Sequence, residues 1–319
     1  MSKRWLLGSA SALLLLACGD VGTEGVGVAD STPRPELSSG APVDLEGVSV
    51  LAPELGTGVF AEVILESGET RTMLLETGLD GRVFEVAPIT EILEDADESQ
   101  EGLEDEEGVV GLAAGEAPKA GSLGPCSDKS KSLLPYKVPG TLGWYFNAGS
   151  TPGSNSPASI EKALKRAANN ITTSRNSCSM LDQVSATHSF LGKTDAASAI
   201  TANAQCGAGN GLNTVGFGAL PKGVLGLACV YYDGAGNVIE ADIRLNKAYA
   251  WYGDKPAACS GRYSVEAVAT HAFGHVFGLG HVAEAGHGNL TMSTSINGTC
   301  QGSENTLGRG DVLGLRAKY

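Results

Sequence analysis

The chain has 319 residues and a formal net charge of -14. That length fits one medium domain with an appendage, and the acidic balance argues against a nucleic-acid partner. The charge is uneven. Residues 21–125 hold 23 acidic and 4 basic side chains, a net of -19, whereas residues 126–319 hold 12 and 16, a net of +4. Such asymmetry predicts two segments that attract each other.

Lys3 and Arg4 precede an apolar run from Leu6 to Ala17, the pattern of an export signal and too short for a comfortable membrane span. The run ends in Leu15-Leu16-Ala17-Cys18, which resembles the lipobox of bacterial lipoproteins. That resemblance implies removal of residues 1–17 and a lipid on Cys18, placing the chain in a cell envelope. An ordinary signal peptide and a secreted product are the alternative. Residues 18–45, rich in Gly, Ser, Pro and acid, read as a flexible tether. Residues 46–125 read as an acidic pro-segment or spacer. Within it, residues 48–86 alternate short apolar runs with Ser-Gly-Glu and Leu-Asp-Gly turns, predicting a small antiparallel meander. The acidic run from Glu91 to Glu107 reads as a solvated linker.

Residues 126–319 have a different texture. Thr141 to Gly149, "TLGWYFNAG", predicts an opening strand. Ile160, Ala163, Leu164, Ala167, Ala168 and Ile171 have amphipathic helical spacing, with Ser156 as cap and Pro157 in the first turn. "GVLGLACVYYD" (Gly223 to Asp233) predicts a strand ending at a glycine-rich turn, and "VIEADIRLN" (Val238 to Asn246) predicts the next. Ser264 is placed to cap a further helix, and a last helix begins near Asp311, with Val312, Leu315 and Tyr319 at helical spacing. This order predicts an α/β or α+β domain.

Six cysteines besides Cys18 lie in this part: Cys126, Cys178, Cys206, Cys229, Cys259 and Cys300. An even number in an exported chain predicts up to three disulfides. The favoured pairing joins Cys259 to Cys300 and Cys178 to Cys206, leaving Cys126 for Cys229.

The densest signal is "HAFGHVFGLGH", which sets His271, His275 and His281 around Gly278. On a helix, residues four apart share a face, so His271 and His275 can meet one ion. Gly278 permits the sharp exit that returns His281 to it. Three imidazoles and one open position are the minimum for a catalytic-type zinc centre.

This spacing, with Met292 in "LTMS" after it, resembles the metzincin metallopeptidases. "LGRGDVLGLRAKY", "TLGWYFN" and "VIEADIRLN" are similar to elements of the matrixin branch, and bacterial exported matrixin-like proteases fit best. The resemblance covers roughly residues 126–319. It implies a metzincin-type domain with a twisted mixed sheet, a zinc-binding helix and a C-terminal helix. It implies one Zn2+ held by His271, His275 and His281, a Met-turn at Met292, and a zinc-dependent endopeptidase acting through an activated water. The second, structural zinc of matrixins needs more histidines than His188 and His287 supply. Asp233, Asn237, Glu240 and Asp242 read as ordinary turn residues, with Ca2+ held near them as the alternative.

Ala272 stands where the resemblance places the general-base glutamate. Losing a positioned base costs about 10²–10⁴ in rate, whereas alanine suits the helix. The expectation is metal binding without appreciable hydrolysis. Glu266, six positions earlier, should face elsewhere, and the direction of Glu284 is not readable. One clean change in a complete motif reads as a deliberate knock-out, with a natural pseudo-protease as the second reading.

Latency has three candidate devices. The acidic segment could dock by charge. Cys126 could ligate the metal as a thiolate, although a disulfide is favoured because a free Cys126 leaves an odd number of cysteines. An acidic residue of the segment could take the metal instead. Expected partners are an extended peptide or protein substrate, added along an edge strand at Leu225 to Tyr232 with Ile296 in the opposite wall, and the chain's own N-terminal segment as inhibitor. Membrane contact is expected only through the lipid, and nothing suggests an oligomer. A zinc-containing protein that binds peptides or a partner without cutting is the alternative function, and a surface lipoprotein with purely structural zinc is a third.

Overall fold

The computed structural model describes residues 39–45, 47–86, 89–91 and 121–319. The export signal, Cys18, most of the tether and the acidic run beyond Glu91 lie outside the described residues. Among the described residues, fifteen strands and four α-helical segments follow in chain order, besides two short 3-10 turns. The N-terminal strands are β1 (Pro42–Leu45), β2 (Val48–Leu51), β3 (Thr57–Leu65), β4 (Thr70–Thr77), β5 (Val83–Glu85) and β6 (Ile89–Glu91). After them come β7 (Lys131–Leu133), β8 (Thr141–Phe146), α1 (Pro157–Thr172), β9 (Thr187–Lys193), β10 (Gln205–Cys206), β11 (Thr214–Gly218), β12 (Val224–Asp233) and β13 (Val238–Asn246). The chain closes with β14 (Trp251–Tyr252), β15 (Tyr263–Ser264), α2 (Val265–Val276), the single turn α3 (Glu284–His287) and α4 (Arg309–Lys318).

The fold is mixed α/β around one large sheet. Its order is β5-β4-β3-β12-β13-β11-β8-β9, antiparallel from β5 to β13 and parallel beyond. The predicted strands and helices appear close to their expected bounds. Ser264 caps α2 by accepting a hydrogen bond from the Ala267 amide at 3.1 Å. Ser156 stands at the start of α1, but its side chain makes no cap bond.

The expected meander forms as β3-β4-β5, yet it is no separate layer. β3 pairs along the full length of β12, with Thr57 opposite Asp233 and Leu65 opposite Val224. The expectation of an open edge at Leu225 to Tyr232 is therefore corrected: β12 is interior to the sheet, and β3 occupies its free side. The cause is legible in β3 itself, which buries seven consecutive residues, Gly58 to Ile64. A strand apolar on both faces needs cover on both faces.

Alternation along β3 sends successive side chains to opposite sides. Phe60 and Ile64 join the main core with Trp144, Ile171 and Phe273. Val59, Ala61 and Val63 join a second core on the outer face with Val50, Cys206 and Cys229. Two helices cover the main-core face, α1 through Ile160, Leu164 and Ile171, and α2 through Val265, Val268 and Phe273.

Three disulfides close: Cys126–Cys178, Cys206–Cys229 and Cys259–Cys300. The last is the expected one. The pairings Cys178–Cys206 and Cys126–Cys229 are corrected, because the chain around residue 206 crosses the outer face and sets Cys206 5.8 Å from Cys229 between Cα atoms. Oxidised cysteines suit an extracytoplasmic protein. No helix among the described residues is long and apolar enough to cross a membrane.

Candidate metal centre

His271 and His275 lie one turn apart on α2 and are both buried. Gly278 leaves the helix with φ +82°, where a side chain would be strained. A Cβ there would also collide with the Tyr136 carbonyl. The turn is closed by the Gly278 amide donating to the His275 carbonyl at 2.8 Å. The chain then doubles back, and His281 reaches the other two imidazoles.

Their Nε2 atoms stand 3.2 Å (His271 to His275), 3.1 Å (His271 to His281) and 3.0 Å (His275 to His281) apart. The fourth corner is Glu62, from the middle of β3. Its Oε1 lies 2.7 Å from His271, 3.1 Å from His275 and 2.9 Å from His281. All six separations fall between 2.7 and 3.2 Å. Four ligands each about 2.0 Å from one ion stand about 3.3 Å apart when tetrahedral. This is the only group of three or more potential ligands among the described residues, and it could hold a metal ion.

The surroundings fit such an ion. The other nitrogen of His271 reaches the Thr291 carbonyl at 2.7 Å, and that of His275 the Leu279 carbonyl at 2.8 Å. With Nδ1 donating, each Nε2 keeps its lone pair for a metal. Glu62 Oε2 is buried with no hydrogen-bond partner among the described residues, a vacancy costly in a dry core and suited to a cation. Phe60 lies against His275 with ring centroids 4.8 Å apart.

Without an ion the four groups titrate against one another. Burial opposes the Glu62 charge, but His271 and His275 outweigh it and hold the carboxyl well below the usual range. His271 is raised despite burial because Glu62 faces it. Burial and then His275 push His281 down to about 4. Glu62 and His271 thus favour one another's charged forms, while burial and His275 disfavour a charge on His281.

Met292 packs against α2 at Gly274, between His271 and His275 in the chain. A Cβ on Gly274 would collide with its sulfur, and the Met292 and Thr291 amides both donate to the buried Asp311 carboxylate. Ile296 is buried in the main core, and its amide donates to the Gly68 carbonyl at 2.9 Å. The hairpin joining β3 to β4 is thus held from both sides, by β12 and by residues 294–296.

Ala272 is buried at 1 % exposure. Glu266 turns away to Arg166 of α1, and Glu284 bonds Ser293. Neither joins the cluster. Cys126 is held in its disulfide and does not act as a thiolate ligand. His188 lies between the Trp144 indole N–H and Asn169, and His287 pairs with Asp128 at 2.9 Å. Asp233 accepts from its own turn at Ala235 and Asn237, Glu240 from the Asn210 and Gly211 amides, and Asp242 from those of Ala199 and Thr214. Backbone amides engage all three carboxylates, and Glu240 also lies close enough to Asp242 to raise it, but among the described residues they belong to no group of three or more potential metal ligands.

The residue that sequence reasoning left unnamed is Glu62. The available signal was one acid inside the apolar run "VFAEVIL". A charge in a strand buried on both faces needs a partner.

No family model and no curated protein sequence matches the chain.

Proposed function

We propose that the chain is a zinc-dependent endopeptidase of the metzincin, matrixin-like type, held latent by its own N-terminal segment and lacking its general base. The observation that carries this reading is the convergence of three helix-and-turn imidazoles on one carboxylate from a strand laid along β12.

His271, His275 and His281 would hold the ion, with Glu62 as fourth donor. Zinc so held supplies Lewis acidity toward a peptide carbonyl and toward water. The protein's own part is positional. β12 offers backbone hydrogen bonds to an extended chain, a recurrent way of binding peptides, and β3 now uses them. Glu62 fills the position that water and substrate would need. A substrate must therefore displace β3 and its carboxylate together. Even then, Ala272 brings no proton acceptor to the cleft, and Glu266 and Glu284 are engaged elsewhere.

The test is Ala272→Glu in the full chain, alone and with Glu62→Ala, assayed on an unstructured protein with and without chelator. Chelator-sensitive cleavage in the double variant, about 10²-fold or more above Glu62→Ala alone, supports the reading. Because β3 still lies along β12 in the intact double variant, the deciding negative is read after limited proteolysis has released its N-terminal strands. No cleavage by the zinc-loaded double variant then favours the second reading, a zinc-containing protein that binds peptides or a partner without cutting. Ala272 is the observation that favours that alternative.

A further inference from the structure

The N-terminal strands have a second attachment, on the face of the sheet away from the imidazoles. Across three strands, Ala61 stands opposite Cys229 and Cys229 opposite Asp242. Cys229 is bonded to Cys206. Cys206 lies on β10, which pairs in parallel with β2, placing Cys206 against Val50 and Gln205 against Ser49. The Gln205 side chain adds a hydrogen bond to Ser49 Oγ at 3.0 Å. One disulfide therefore joins the two strands on which β2 and β3 dock.

The loop bearing β10 is fastened at its other points by β13. Glu240 accepts from the Asn210 and Gly211 amides, and Asp242 from those of Ala199 and Thr214. Val50, Val59 and Ala61 bury themselves here against Ile200, Cys206 and Cys229. Both cysteines have 0 % exposure. This contact is apolar and backbone-bonded, and none of it touches the imidazoles.

We infer that the loop of residues 196–214, fastened by Cys206–Cys229, is a docking surface that retains residues 42–85 independently of the Glu62 contact at the metal. The inference rests on the reading of that segment as a cap over the site, and it adds that blockade and retention are separate. Glu62 blocks; the outer platform holds. Losing the Glu62 contact would open the metal to small ligands while the segment stayed in place. Losing the disulfide would free the platform and loosen β2 while the metal contact remained.

Hydrogen exchange on the full, zinc-loaded chain separates the two contributions. Glu62→Ala should leave protection of residues 48–51 and 57–65 within about threefold of the parent, while Cys206→Ser with Cys229→Ser should lower it at 48–51 by about tenfold or more. Helices α1 and α2 should keep parental protection in both. Equal loss of both strands in Glu62→Ala, or unchanged β2 in the serine pair, would overturn the inference. Should the serine pair fail to protect α1 and α2, Val50→Asp, which charges the same contact but keeps the disulfide, is read by the same criteria. The exchange pattern does not depend on cleavage, so failure of the peptidase reading and failure of this inference are distinguishable.

Discussion

Glu62 Oε1 lies 2.7 Å from His271 Nε2, although 209 positions separate them in the chain. Both side chains are fully buried. Each favours the other's charged form, and removing one partner of a buried charged pair strands the other at a cost of about 3–5 kcal/mol. Glu62→Ala should therefore lower the denaturant midpoint of the metal-free protein sharply. With metal bound, the ion takes over the imidazole lone pairs, and the loss should be much smaller. Denaturant titrations with and without chelator give both numbers. Equal losses in the two states would contradict the shared-centre account.

The same cluster sets a pH dependence. The Glu62 value is depressed, so its stabilisation is present above the ordinary carboxylate range and lost as pH falls through the folded value. The His271 value is raised, so its contribution is complete below about 6.5 and lost as pH rises through the folded value. Metal-free stability should thus decline at both ends. Metal binding must displace the His271 proton, so zinc affinity should climb as pH rises past neutrality. Competition titrations with a coloured chelator measure this, and an affinity flat between mildly acidic and mildly alkaline pH would exclude His271 as a ligand.

A second titration belongs to the outer loop. Burial and then the Glu240 charge raise Asp242 to about 8. Raised values mean that stability is lost as pH climbs toward the folded value. The Ala199 and Thr214 amides, which donate to Asp242 at 3.1 Å, should exchange faster above that pH than the intrinsic rate change explains. Asp242→Asn should flatten the dependence.

Gly274 offers a packing test remote from charge. A Cβ there meets the Met292 sulfur, and overpacking a filled core costs typically about 1–3 kcal/mol. Gly274→Ala should destabilise within that range and weaken metal binding by tilting His271 or His275. An unperturbed melting temperature would show that Met292 has room to move.

The histidine helix and its turn were legible because the ligands are local. Four-residue spacing and one glycine specify how His271, His275 and Gly278 lie, and those constraints act within a few residues. Strands β8, β12 and β13 were legible for the same reason. The partner strand was not. Nothing local in "VFAEVIL" says which strand it will join, and the pairing of β3 with β12 spans more than 150 positions. Cys259–Cys300 closed as expected, but the other two disulfide pairings failed similarly: Cys206–Cys229 depends on a loop crossing the outer face, which no spacing rule encodes. Charge asymmetry predicted an attraction between the two parts but named no residue, and the described contact is largely apolar and backbone-bonded, with Glu62 facing the histidines.

The most direct test of the central claim is X-ray absorption at the zinc edge on purified full-length chain. The account predicts one ion per chain, with imidazole nitrogens from His271, His275 and His281 and one oxygen from Glu62 at about 2.0 Å, and loss of that oxygen's geometry in Glu62→Ala. A chain that retains no zinc, or a first shell without imidazole, would contradict it.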